Sequence, residues 1–131
     1  MEELFNLGIC ENTIKGMIEL NPNIKGMSNE EIKEKEIILN KLNCSSIQIK
    51  NIISSNVFYL NRTNEEIIKL INTLIKYKFN NLNILFDSNP YILNLEPFEI
   101  ENYINSRIED GEILEDIIDD LDSNPYLFND M

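Results

Sequence analysis

Asn21-Pro22-Asn23-Ile24, Asn56-Val57-Phe58-Tyr59, Asn89-Pro90-Tyr91-Ile92 and Asn124-Pro125-Tyr126-Leu127 recur along the chain at offsets of 35, 33 and 35 residues. A self-similar segment at this period is the signature of a repeat architecture. A second marker keeps step with the first. Seven residues after Asn21 comes Ser28-Asn29-Glu30-Glu31-Ile32, seven after Asn56 comes Thr63-Asn64-Glu65-Glu66-Ile67, and seven after Asn89 comes Glu96-Pro97-Phe98-Glu99-Ile100.

Each marker has a mechanical meaning. Proline lacks an N–H and biases the residue before it away from helix, so Pro22, Pro90 and Pro125 predict helix stops. Ser28 and Thr63 stand three residues before Glu31 and Glu66, the spacing of a capping box that starts a helix. Pro97 suits a first helical turn, and Glu99 suits the positive end of the helix dipole. Gly8, Asn43 and Gly111 each lie 13 residues before a repeat Asn. Gly and Asn both tolerate the left-handed backbone that ends a helix.

The apolar spacing of 3 to 4 residues is helical. Ile32, Ile37 and Leu39 mark one longer helix. Ile67, Ile68, Leu70, Ile71, Leu74 and Ile75 mark the next, and Ile100, Tyr103, Ile104 and Ile108 a third. Shorter helices carry Ile14, Met17 and Ile18; then Ile47, Ile49, Ile52 and Ile53; then Leu82, Ile84, Leu85 and Phe86. The last carries Ile113, Leu114, Ile117, Ile118 and Leu121, a set expected to face the core. The run Phe79 to Phe86 also fits a short strand, but its neighbours favour helix. A helix pair of this length cannot bury its apolar face alone. The expected fold is therefore all-α, a right- or left-handed solenoid-like stack of helical hairpins of 33–35 residues, about three and a half units. It forms one domain over residues 1–131, with units near 4–37, 38–71, 72–103 and 104–128.

Leu7-Gly8, Ile14, Ile18 and Asn21-Pro22-Asn23-Ile24, with Asn89-Pro90-Tyr91-Ile92-Leu93 and Asn124-Pro125-Tyr126-Leu127, resemble the mitochondrial transcription termination factor repeat. The resemblance spans nearly the whole chain through structural positions. It implies a curved solenoid of left-handed helical repeats and, for that family, a concave basic face on duplex nucleic acid. Here 23 acids stand against 11 bases. Such a chain lacks the basic face, and no functional residue of the family maps onto it.

Charge is distributed unevenly. Residues 1–93 carry 11 acids and 10 bases; residues 94–131 carry 12 acids and only Arg107. Glu109, Asp110, Glu112, Glu115, Asp116, Asp119, Asp120 and Asp122 crowd the last helix and the turn before it, and are the expected partner-binding residues. Like charges four residues apart destabilise a helix by roughly 0.2–0.5 kcal/mol per pair. Carboxylates so spaced rise by about 6 Å per step, of the same order as phosphates along a nucleic-acid strand. The simpler reading is a solvated terminal cap, since end repeats need a polar face.

The formal charge of −12 repels nucleic acid and anionic lipid and attracts a basic protein surface. With no His, the commonest general base and metal ligand is missing. Cys10 and Cys44 occupy near-equivalent repeat positions expected in the core. Asp120-x-Asp122-x-Asn124 begins like a calcium loop, but Pro125 and Met131 occupy its glycine and bidentate-glutamate positions. No catalytic residue, metal site or cofactor is expected. Phe58, Tyr59, Tyr91 and Tyr126 are expected to pack between repeats. Met1-Glu2-Glu3-Leu4 carries no positive leader and no apolar run reaches a span, so a cytoplasmic protein with reduced thiols is expected.

The expected function is non-catalytic: an acidic protein that inhibits a nucleic-acid-binding protein by occupying its basic groove. An abundance of Asn, Ile and Lys with no Ala matches A+T-rich coding, as in a low-GC bacterium or its phage. A phage anti-CRISPR-type inhibitor or a nuclease-immunity protein would fit. The alternatives are a direct nucleic-acid binder of the termination-factor type, and an adaptor that uses a concave solenoid face.

Overall fold

Each repeated Asn ends a helix in the computed structural model, which describes residues 1–131. Helices close at Leu20, Ser55, Ser88 and Ser123. The next residue, Asn21, Asn56, Asn89 or Asn124, leaves the helical region with φ of −136°, −117°, −142° or −133°. A short 3-10 turn follows each, from Pro22, Val57, Pro90 and Pro125. All regular structure is helical, so the strand-like reading of Phe79 to Phe86 gives way to a helix from Leu82.

The chain divides into two compact units, Met1–Asn64 and Glu65–Met131. The first contains α1 (Glu2–Asn6), α2 (Glu11–Leu20), α3 (Asn29–Lys41) and α4 (Ser46–Ser55). Within it, α1 packs on α3, while α2 and α3 both pack on α4. The second holds α5 (Asn64–Lys76, whose first residue precedes the division), α6 (Leu82–Ser88), α7 (Pro97–Glu109) and α8 (Leu114–Ser123), with α7 against α8.

Local chemistry sets the helix starts. Ser28 closes the expected capping box with Glu31, its Oγ accepting from the Glu31 N–H at 3.1 Å. Ser45 and Gln48 close a second one on α4. Pro97 opens α7. The left-handed positions are Gly8 (φ 86°), Asn43 (φ 69°) and Gly111 (φ 95°), as their spacing predicts, and also Lys78 (φ 73°). Lys78 precedes its Asn by 11 residues instead of 13. The helix that follows it, α6, has 7 residues where α2, α4 and α8 have 10. That shortening, offset by one extra residue in the preceding loop, produces the single 33-residue interval.

The asparagines do more than stop helices. Asn21 Nδ2 donates to the Val57 carbonyl and to Asn61 Oδ1, both at 3.0 Å, and Asn61 Nδ2 donates back to Asn21 Oδ1 at 3.1 Å. In the second unit Asn89 Nδ2 donates to the Pro125 carbonyl and Asn129 Oδ1, again at 3.0 Å. Asn21 and Asn89 are buried, so these bonds satisfy groups that burial would otherwise penalise. One side-chain amide thus clamps the first helix stop of each unit to the 3-10 turn that follows its second.

Neighbouring isoleucines cannot share one helix face. Ile67 and Leu74 are fully buried, whereas Ile68 and Ile75 are exposed. Two expectations need correction. Of the four aromatics expected to pack between repeats, only Tyr59 enters the core, its hydroxyl donating to the Lys35 carbonyl at 2.7 Å. Tyr59 stands third after its Asn, the position of buried Ile24 and Ile92. Phe58, Tyr91 and Tyr126 stand second and face solvent. Cys44 is buried, but Cys10 is exposed as the N-cap of α2, its sulfur 3.1 Å from Thr13 Oγ1. That hydrogen bond, with others from the first turn, lowers the thiol pKa.

Candidate functional site

The acid-rich segment is built by a helix end, a left-handed glycine and a new helix. α7 stops at Glu109, Gly111 reverses the backbone, and Ile113 (φ −90°, ψ 138°) leads into α8. Ile117 and Leu121, four residues apart, are fully buried and anchor α8 by one stripe. The expected five-residue core set is therefore too wide. Ile118 is half-buried and Leu114 is 39% exposed. Ile113 lies outside the helix and is 65% exposed.

With the buried stripe so narrow, the remaining circumference is left to acids. Glu109, Asp110, Glu112, Glu115, Asp116, Asp119, Asp120 and Asp122 are all exposed. Glu115 and Asp116 lie in the first turn, where the helix dipole favours them. Asp119, Asp120 and Asp122 lie towards the other end, where it does not.

One base enters this field. Arg107 Nε donates to Glu112 Oε2 at 2.7 Å, its Nη2 also reaches Glu112, and Nη2 meets Asp120 Oδ2 at 2.6 Å. Tyr103 supports the guanidinium, with its hydroxyl 3.3 Å from Nη1 and its ring centroid 5.6 Å from the guanidinium carbon. The hydrogen bonds from Arg107 hold the Glu112 carboxyl below the usual carboxylate range. Repulsion along α8 is thus partly relieved, a contact the sequence reading did not assign. Glu109, Asp110, Glu115, Asp116, Asp119 and Asp122 take part in no ion pair.

Beside two of these acids lies an open cleft of about 310 Å³, lined by Tyr77, Lys78, Leu114, Glu115, Ile118 and Asp119. Apolar side chains, two carboxylates and the Lys78 side chain therefore border one hollow. No three acidic or sulfur side chains converge as metal ligands, and Asp120, first residue of the calcium-like motif, is engaged by Arg107. No helix is long and apolar enough to cross a membrane. No protein-family model, characterised protein or solved structure matches the chain.

Proposed function

We propose that the protein is a non-catalytic binding protein whose acidic C-terminal helix occupies a basic surface on another protein, of the kind that otherwise holds nucleic-acid phosphates. The observation that carries this reading is the set of six carboxylates on and before α8 that are exposed and without ion pairs. Arg107 is engaged by Glu112 and Asp120 instead, and Lys78 lines the cleft beside Glu115 and Asp119 without forming an ion pair with them. A basic groove supplies the missing counter-charge, and electrostatic complementarity speeds and orients such encounters. Leu114, Ile118 and Tyr77 offer apolar area beside Glu115 and Asp119. The matching partner surface has Lys and Arg around an apolar side chain. A nuclease, or another nucleic-acid-binding protein inhibited by occupation of its groove, has this chemistry; anti-CRISPR-type and nuclease-immunity inhibitors are the proposed settings.

The test replaces Glu115 with Gln and Asp116 and Asp119 with Asn, leaving Asp120 to hold Arg107. Capture from cells with the unmodified chain identifies the partner, and affinity is then measured against salt. Loss of affinity together with a flatter salt dependence is expected. Undiminished binding by the triple variant rules the reading out. A second reading, an adaptor without a role for α8, draws on the solvent-facing Phe58, Tyr91 and Tyr126 at equivalent repeat positions. It expects Tyr91→Ser with Tyr126→Ser to abolish capture while the acid variant binds normally.

A further inference from the structure

The first unit holds a carboxylate that its own fold leaves incomplete. Glu36, on α3, is 7% exposed, and its buried Oε2 accepts no hydrogen bond. The neighbouring buried cation is treated differently: Lys35 Nζ donates to Asn64 Oδ1 at 2.6 Å. A buried charged oxygen without a donor is costly, so one at the wall of a cleft suggests a donor that arrives from outside. Glu36 lines such a cleft, of about 350 Å³, with Lys33, Asn40 and Ser46 as further polar walls and Leu7, Ile37 and Ile49 as apolar ones.

The charged groups that face Glu36 are few. From α1 comes Glu3, and from its own helix Lys33; α4 contributes uncharged Ser46 and Ile49 to the wall. Lys33 Nζ lies 4.0 Å from Glu3 Oε2 and acts on Glu36 through space without donating to Oε2, which keeps no hydrogen-bond donor.

We infer that this cleft binds an alkylammonium group, its charged end on Glu36 Oε2 and its aliphatic stem along Leu7, Ile37 and Ile49. An ammonium has three separately directed donors, and Asn40 and Ser46 offer side-chain oxygens in the same cleft. A guanidinium fork suits the site less well, because it pairs best with both oxygens of one carboxylate and only Oε2 is open. The group belongs either to a free polyamine or to a lysine side chain of a partner. The inference depends on none of the C-terminal acids.

Protonation gives the site a pH dependence. Burial first, then hydrogen bonding and like charge from Glu3, push the Glu36 carboxyl up to about 7, with Lys33 opposing. Below that value a proton occupies the oxygen; above it the ionised form awaits a cation. Ammonium binding therefore strengthens as pH rises through about 7 and releases a proton.

The experiment titrates the full-length, ¹⁵N-labelled chain with n-butylammonium, using n-butanol as an uncharged probe of equal stem. Amide shifts centred on Leu7, Glu36, Asn40 and Ser46 are expected, weakening below about pH 7. Glu36→Gln is expected to weaken binding about tenfold to hundredfold. Putrescine and Nα-acetyl-lysine amide then separate the two sources, the tighter probe naming the one that applies. Equal shifts from butanol, shifts confined to residues 109–122, or Glu36→Gln binding as well as the unmodified chain would overturn the assignment. If that variant fails to fold, the pH arm decides alone: binding that does not strengthen across the same range also overturns it.

Discussion

The two units solve the same mechanical problem and opposite electrostatic ones. In each, a buried Asn donates at 3.0 Å to a backbone carbonyl 36 residues on and to an Asn side chain 40 residues on. The carboxylates follow no such rule. The first unit buries one, Glu36, within reach of a second. The second unit sets eight around α8 and ties only two of them to a base. Positions that repeat hold the chain together; positions that do not repeat are where binding chemistry is free to differ.

The sharpest way to break that equivalence is to remove the clamp from each unit in turn. Asn21→Ala and Asn89→Ala each strand a buried carbonyl and an Asn partner, costing about 2–4 kcal/mol of stability. Urea unfolding of the two variants measures this. A large loss at one site and a negligible one at the other would show that the clamps are not equivalent.

Glu36 supplies the contrast. Its folded pKa of about 7 is raised above the ordinary 4.5, so the folded state holds an extra proton between those values. The associated stability is fully present below the lower value and is lost as pH rises through the higher one. Glu36→Gln removes this loss and is expected to be more stable than the unmodified chain above pH 7 by about 1–3 kcal/mol. Unfolding midpoints on both sides of the window check it; identical pH profiles would mean that the carboxyl titrates normally.

The smallest effect lies at the left-handed turns. Three of the four use Gly or Asn and one uses Lys78. Lys78→Gly relieves the Cβ penalty and is expected to add about 0.5–1 kcal/mol, whereas Gly111→Lys subtracts a similar amount. Thermal midpoints that move in the same direction for both variants would contradict this.

Much of the helical plan was legible in the residues, because stops and starts are local chemistry. Pro after Asn, Ser three before Glu, and Gly at a fixed distance act through the backbone within a few residues. What they did not reveal depends on neighbours distant in sequence. Lys78 carries no mark of a left-handed residue, so the longer joint beside it and the shortened helix after it could not be placed. The partners of Asn21 and Asn89 are 36 and 40 residues away, although Asn61, Asn94 and Asn129, each five after a stop, offered a periodic clue. Helical spacing marked α8 as amphipathic, yet only the packed helix shows that Ile113 and Leu114 escape the core. The acids of α8 were plain as composition. Arg107 was visible too, but its grip on Glu112 and Asp120 needs the turn at Gly111. Glu36 gave no signal at all, since burial of a glutamate is set by α1 folding over α3.

The stretch from Lys78 to Asn89 shows how such a chain tolerates changes of length. Two residues fewer than its counterparts have been accommodated there while Asn89 keeps its bonds to Pro125 and Asn129. A coiled coil has no such latitude, since an inserted or missing residue rotates every downstream contact. Here the variation is confined between a left-handed turn and a helix stop, so sequence grafted or trimmed at that point need not propagate. The same place is a natural seam for inserting a tag or a sensor loop.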